Sequence, residues 1–162
     1  MVQPEYKASP VMEPAQNSTL CLADIVSMVE SRNNKYALRY EPAWRTPQSL
    51  GPQISKYNTC TLPTALEIGR LSWGAFQVMG SNLYYMGLDC SIGEFLSNLD
   101  KQKEMFVVFC QRRQIEFTLD EILDDDDKGH LFALHYNGAA SVYLVALRDT
   151  YAREQEKIDR VS

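Results

Sequence analysis

The amino-acid sequence predicts a mainly α-helical protein with little or no β-sheet and with one small hairpin at most. Three observations predict this fold class. Apolar residues recur three or four positions apart over most of the chain, one short stretch has strand character, and no segment is repeated. A chain of 162 residues, 45% hydrophobic and 23% charged, is also long enough to bury a core.

The N-terminal part predicts an arm followed by a first helix. Residues 1–17 contain three prolines and few apolar side chains, which is typical of a flexible arm, and they lack the basic and apolar regions of a secretory signal. A single domain is expected over residues 18–162. Its first helix is predicted over 20–30, LCLADIVSMVE, with Ser18 or Thr19 as the N-cap.

The middle of the chain predicts irregular structure, and the rest predicts helices. Residues 31–60 are rich in Asn, Pro, Gly and Tyr, so the single hairpin is expected between residues 34 and 60. The acidic run at 124–130, DDDDKGH, predicts a solvated loop without the spacing of a calcium site. Further helices are predicted at 62–71, in short pieces between Gly74, Gly80 and Gly87, and at 92–113, 116–123, 131–135 and 142–157.

Charge and cysteine content exclude several classes of function. A net charge of −5 without a basic stripe excludes a nucleic-acid partner, and no apolar run is long enough to span a membrane. The four cysteines lack metal-ligand spacing and are expected to be reduced and mostly buried, with one or two disulfides as the alternative. No metal site and no cofactor are expected.

Glu30 ends the first predicted helix at the point where a polar loop begins. Cleavage of a glycosidic bond needs a carboxylic acid that is still protonated near neutral pH. Partial burial and the negative end of a helix both raise the pKa of a carboxyl group. The position therefore suits a general acid, and a solvated carboxylate at an ordinary helix end is the alternative.

Four short motifs occur in a specific order along the chain. Glu-Ser at the end of the first helix is followed by YALRYEP, then by SWGAFQVMG at residues 72–80, and then by Tyr-Asn-Gly at residues 136–138. In this order the motifs resemble those of the phage N-acetylmuramidases and related lysozyme-like endolysins. The sequence is more distantly similar to lytic transglycosylases and goose-type lysozymes. The resemblance covers about residues 20–155 and implies a lysozyme-like α+β fold.

The resemblance also implies site residues. It assigns Glu30 as the catalytic acid and Glu41 as a second catalytic carboxylate, with a salt bridge to Arg39 or Arg45 as the alternative for Glu41. The substrate-binding residues that it implies belong to the third and fourth motifs: Ser72, Gly74, Gln77, Tyr136 and Asn137.

The activity that the resemblance implies is cleavage of the β-1,4 bond between N-acetylmuramic acid and N-acetylglucosamine in peptidoglycan. Lytic transglycosylation, which forms a 1,6-anhydro product, is one alternative, and a non-catalytic phage tail component is another. The expected partners are bacterial glycan strands, with phage tail or virion proteins as an additional class. A phage protein made in the host cytoplasm is expected, which acts in the periplasm after pore formation or as part of the virion.

Overall fold

The computed structural model describes residues 9–16 and 18–161. They form two compact units: the first combines the chain up to Val29 with the chain from Cys110 onwards, and the second is Glu30–Phe109. The helices are α1 (Leu22–Ser31), α2 (Gly51–Asn58), α3 (Leu62–Gly69), α4 (Gly80–Tyr85), α5 (Ile92–Ser97), α6 (Leu99–Arg112), α7 (Leu119–Asp124), α8 (Asp126–Tyr136) and α9 (Ala140–Asp159); the strands are β1 (Leu38–Tyr40), β2 (Leu71–Trp73) and β3 (Val78–Met79). The predicted mainly α fold class with little β-sheet is confirmed, although the β component is a three-stranded sheet rather than one hairpin at most.

Helix α1 begins at a cysteine cap rather than at either predicted hydroxyl. Both the backbone N–H and the thiol of Cys21 donate to Asp24 Oδ2, at 3.0 and 3.1 Å. A carboxylate three residues into a helix is the usual partner of the N-cap backbone N–H. The prediction of Ser18 or Thr19 as the cap was therefore wrong; the Ser18 hydroxyl accepts instead from the N–H of Leu20 at 3.0 Å.

The described part of the predicted arm, residues 9–16, is packed against its own unit. A 3₁₀ turn at Pro10–Met12 buries Val11 completely, and Pro14 forms an isolated β-bridge with Cys21. The backbone N–H of Gln16 donates to Asp120 Oδ2 at 2.9 Å. Residues 1–8 and 17, which complete the predicted arm, lie outside the described residues.

The acidic run at 124–130 is helical except at Asp125, which separates α7 from α8, so the prediction of a solvated loop was wrong. Asp125 caps α8, because its Oδ1 accepts from the N–H groups of Asp127 at 3.0 Å and Lys128 at 3.1 Å. Acidic side chains in a first helical turn also interact favourably with the helix dipole. The helix predicted at 131–135 is therefore the C-terminal half of a longer helix, α8.

The sheet belongs to the second unit, and β1 is far in sequence from β2 and β3. The three strands are antiparallel in the order β1–β2–β3, and Arg39 of β1 pairs with Ser72 of β2. The hairpin is formed by β2 and β3, so its expected place between residues 34 and 60 was wrong. Part of that region is instead helical in α2, where Pro52 occupies the first turn, a position that proline tolerates.

The long helix predicted over 92–113 is interrupted at Asn98. This residue has an extended backbone, with φ = −116° and ψ = 101°, and ends α5. Its side-chain Oδ1 accepts from the N–H of Lys101 at 3.0 Å and so caps α6. Asparagine thus separates two helices that the apolar periodicity joined.

Two further sequence expectations concern membranes and thiols. Within residues 9–16 and 18–161, no helix is long and apolar enough to cross a membrane. All four cysteines are free thiols, as predicted, and Cys21 and Cys110 are buried. Burial raises the pKa of the Cys21 thiol to about 11 and raises that of Cys110 as well.

Candidate active site

Glu30 is the next-to-last residue of α1 and is partly buried. The preceding turns of α1 are apolar and largely buried, so packing fixes the direction of the helix that carries Glu30. The chain then reverses through Arg32 and Asn33, both in the left-handed region with φ = 56° and 61°. Two such residues in succession cost free energy, because L-residues other than glycine rarely adopt this conformation. The carboxyl group therefore stands at a sharply defined helix end.

The segment that follows Glu30 is bonded to the turn of the β2–β3 hairpin. Gly74 N donates to Ala37 O at 2.8 Å, directly before β1 begins. Gly74 itself has φ = 78°, a conformation that favours glycine. The sequence downstream of the predicted acid and the predicted substrate-binding turn are thus held together within one unit.

The structure brings the predicted residues Ser72, Gly74 and Gln77 into one hydrogen-bonded cluster. Ser72 Oγ donates to Gln77 Oε1 at 3.0 Å, and Gln77 Nε2 donates to Gly74 O at 3.0 Å. The backbone of Gln77 is in the strained left-handed region, with φ = 50°, and the two side-chain hydrogen bonds help to stabilise this conformation. A carboxamide has two donor hydrogens and two acceptor lone pairs. Each end of the Gln77 amide therefore retains hydrogen-bonding capacity for a ligand.

Gln102 was missed by the sequence analysis, although it supports this turn. It is 1% exposed, and its Oε1 accepts from Ala75 N at 2.7 Å. Its Nε2 donates to the carbonyl oxygens of Lys35, Phe95 and Leu96, at 3.0, 3.2 and 3.3 Å. The available signal was a polar residue at an apolar position of the α6 stripe, since a buried amide must find partners.

Close packing of Gln102 explains one glycine of the motif. A Cβ atom added at Gly74 would lie 2.5 Å from Gln102 Oε1 and 3.3 Å from the ring of Phe95. Only a residue without a side chain lets the amide reach the turn. Gly74 is therefore required both for its left-handed backbone and for the space above it.

Glu41 follows β1 and forms the ion pair that was considered as its alternative role. Arg39 Nε lies 2.5 Å from Glu41 Oε1, and the two side chains are 57% and 32% exposed. The backbone N–H of Glu41 donates to Arg70 O at 3.2 Å and extends the β1–β2 ladder. The carboxylate is thus engaged by a guanidinium, and the predicted catalytic role of Glu41 stays a prediction.

Tyr136 and Asn137 lie in the first unit, where they end α8. Tyr136 is the last helical residue and Asn137 is the C-cap, followed by Gly138 with φ = 82°. The Tyr136 ring stacks with the rings of Phe132 and Tyr143, at centroid distances of 5.6 and 5.8 Å. The Tyr-Asn-Gly motif is therefore a helix stop, and its role in substrate binding stays a prediction.

Aromatic residues of the motif region divide into packed and exposed groups. Phe76 is buried and stacks on Phe106 at 4.5 Å, and Trp73 Nε1 donates to the backbone of α3 at 3.0 Å. By contrast, Tyr40 is 48% exposed and Trp44 is 37% exposed.

Within the described ranges, no group of three His, Cys, Asp or Glu side chains is arranged to hold a metal ion.

Comparison with known proteins gives two matches. The family model for N-acetylmuramidases matches residues 57–155, a segment that includes the Ser72–Gln77 turn and Tyr136–Asn137 and begins after Glu30 and Glu41. An endolysin of Enterobacteria phage PRD1 is 37% identical over an alignment of 130 residues, which covers 74% of this chain and 87% of the relative. No solved structure shows a significant match.

Proposed function

This chain belongs to the N-acetylmuramidase family of phage endolysins and is a peptidoglycan-degrading glycosidase, and we propose that Glu30 is its general acid. The bond that we propose it cleaves is the β-1,4 bond between N-acetylmuramic acid and N-acetylglucosamine. In this reaction the glycosidic oxygen receives a proton as its bond to the anomeric carbon breaks.

The observation that carries this proposal is the position of Glu30. It is a partly buried carboxyl group in the last turn of a helix whose preceding turns are buried. Partial desolvation and the negative end of a helix both favour the protonated form of a carboxyl group. The segment after it is bonded to the Ser72–Gln77 turn through Ala37 O and Gly74 N.

We propose hydrolysis as the outcome of the reaction, with Gln77 orienting the attacking water. Its amide has one donor and one acceptor position beyond the bonds inside the turn, whereas the Glu41 carboxylate is paired with Arg39. Lytic transglycosylation at the same site is the second candidate. There the substrate's own hydroxyl closes a 1,6-anhydro ring and Glu30 acts first as acid and then as base.

Glu30→Gln tests the acid directly, because the substitution keeps the size of the side chain and removes its acidity. Zymography and dye-release assays on purified peptidoglycan should show activity lower by a factor of about 10²–10⁴. Glu116→Gln is the matched control, since Glu116 is exposed and outside the proposed site. Equal clearing by Glu30→Gln and the parent protein would refute the assignment, and no clearing by the folded parent would favour the non-catalytic alternative.

The mass of the released fragments distinguishes hydrolysis from transglycosylation. Hydrolysis yields reducing ends, whereas a 1,6-anhydro product is lighter by one water. Gln77→Ala should lower hydrolysis more than Glu41→Gln does. The reverse order would indicate that Glu41, rather than Gln77, supports the reaction.

Two broader proposals accompany this mechanism. Residues 18–162 act as one catalytic domain, which predicts a single unfolding transition by circular dichroism and by fluorescence. The protein is made in the host cytoplasm and acts in the periplasm at lysis, in keeping with the name of its relative. Mass spectrometry of purified phage particles would reveal instead a virion component with tail or other virion partners.

A further inference from the structure

Strand β1 exposes large apolar side chains at the edge of the sheet. Tyr36, Leu38 and Tyr40 are 58%, 56% and 48% exposed, and all three residues of β1 are exposed. Leu38 and Tyr40 project from the same face of the strand, because side chains alternate along it, and Tyr36 lies in the turn that leads into it. Large apolar side chains that are exposed together on one short segment are typical of a binding site.

A cation lies over each of the two tyrosine rings. Lys35 Nζ lies 5.0 Å from the centroid of the Tyr36 ring, and Arg70 Cζ lies 5.0 Å from that of Tyr40. A cation covers one face of each ring, and the exposure of the side chains leaves much of the rest open to solvent. A ring that is restrained by such a contact loses less conformational entropy when a ligand stacks on it.

The backbone of β1 offers hydrogen bonds on its open side. Ala37 and Glu41 bond to the neighbouring strand segment, and in an antiparallel ladder alternate residues do so. The N–H and C=O groups of Leu38 and Tyr40 therefore point away from β2, and they meet no backbone partner within the described ranges. An open edge of this kind pairs readily with amide groups.

The charge around this surface is opposite to that of the whole protein. Residues 31–45 contain four basic side chains and one acidic side chain, a net charge of +3 in a chain of net charge −5. Arg32, two residues after Glu30, is exposed. Stem peptides of peptidoglycan carry carboxylates, so a basic surround favours the approach of this polymer.

We propose that the surface formed by Tyr36, Leu38 and Tyr40, the β1 surface, binds the glycan strand of peptidoglycan. The apolar faces of the sugar rings stack on the two tyrosine rings, and the N-acetyl amides bond to the open edge of β1. A polymer of N-acetylated sugars presents both groups at regular intervals, which matches a surface with exposed rings beside free backbone amides. This inference rests on the proposed function, because the same polymer then extends to Glu30, six residues before Tyr36 in the chain.

The test measures binding separately from cleavage. Soluble glycan strands freed of stem peptides are titrated against the full chain carrying Glu30→Gln, and against the parent chain at a temperature where cleavage is slow. The double variant Tyr36→Ala, Tyr40→Ala should bind about tenfold more weakly or worse. The double variant with phenylalanine at both positions should retain binding, because it keeps the rings. Tyr85→Ala, which removes another tyrosine with 67% exposure, is the matched control and should bind like the parent.

Unchanged affinity of the double alanine variant would overturn the β1 surface, and so would an equal loss on substitution by phenylalanine. Should that variant fail to fold, Tyr36→Ala alone gives the same test, because this side chain is the more exposed of the two. Cleavage by Glu30→Gln would contradict the proposed acid and leave the binding result interpretable. The two proposals can therefore fail independently.

Discussion

Replacing Gln102 by methionine would test how the turn of the proposed active site is supported. Methionine has nearly the shape and helix propensity of glutamine, so the substitution removes hydrogen bonds with little change in packing. The Ala75 N–H would lose the bond of 2.7 Å to Gln102 Oε1, in a residue that is 1% exposed. The carbonyl oxygens of Lys35 and Leu96 would also lose a donor.

The expected magnitude follows from these contacts. A buried N–H without an acceptor costs about 1–3 kcal/mol, and each carbonyl that loses a donor costs less, because a carbonyl oxygen is more often left partly unsatisfied. The free energy of unfolding should therefore fall by about 2–4 kcal/mol. The backbone amide of Ala75 should also exchange its hydrogen faster, since its bond in the structure is to Gln102.

Urea unfolding followed by circular dichroism measures the stability change, and hydrogen exchange followed by NMR measures the local one. Gln111→Met is the matched control, because Gln111 is exposed on the same helix. Its effect should be within about 0.5 kcal/mol of zero. Similar losses for the two substitutions, or unchanged exchange at Ala75, would refute the view that Gln102 supports the turn.

Three further changes follow from contacts of the same kind. Gly74→Ala should destabilise the chain by about 1–3 kcal/mol in urea unfolding, because its φ is 78° and the added Cβ would strike a buried amide. Gly93→Ala, with no atom closer than 3.9 Å to the new Cβ, should be neutral or stabilising, and equal losses at the two glycines would contradict this. Asp125→Ala should cost about 1 kcal/mol by removing the cap of α8, and Asp124→Ala should cost less in the same measurement. Burial raises the pKa of the Cys21 thiol to about 11, so the unfolded chain ionises first and stability should fall as pH rises from about 9 to about 11. Cys21→Ser, which keeps a capping hydroxyl and does not ionise, should reduce this fall; identical pH profiles would disprove the linkage.

Local patterns were sufficient to predict α1, α9 and the fold class. The periodic apolar residues of α1 and α9 placed both helices within two residues of their observed ends. The prediction failed where side-chain chemistry opposes composition. The polar run at 124–130 resembled a loop by composition, yet Asp125 is a favourable N-cap and therefore begins a helix.

Contacts between distant segments were beyond prediction from local pattern. The strand character of β1 was recognised, but its partner is β2, selected by packing and by the hydrogen bonds at either end of the ladder. The motif predicted a shared role for Ser72, Gly74 and Gln77, and in the structure hydrogen bonds link these three residues. Gln102 belongs to none of the sequence motifs. Its hydrogen bonds to Lys35 and Ala75 form only in the folded chain, because these residues lie on two other segments.

The first unit consists of two segments that are far apart in the chain, and this affects the order in which the protein folds during synthesis. The second unit is a continuous stretch, Glu30–Phe109, and all of it emerges before the chain that completes the first unit. For example, the hydrogen bond from the backbone N–H of Gln16 to the carboxylate of Asp120 can form only after Asp120 has been translated. The first turns of α1, the helix that carries Glu30, therefore gain their packing partners only late in synthesis, after the second unit has been made.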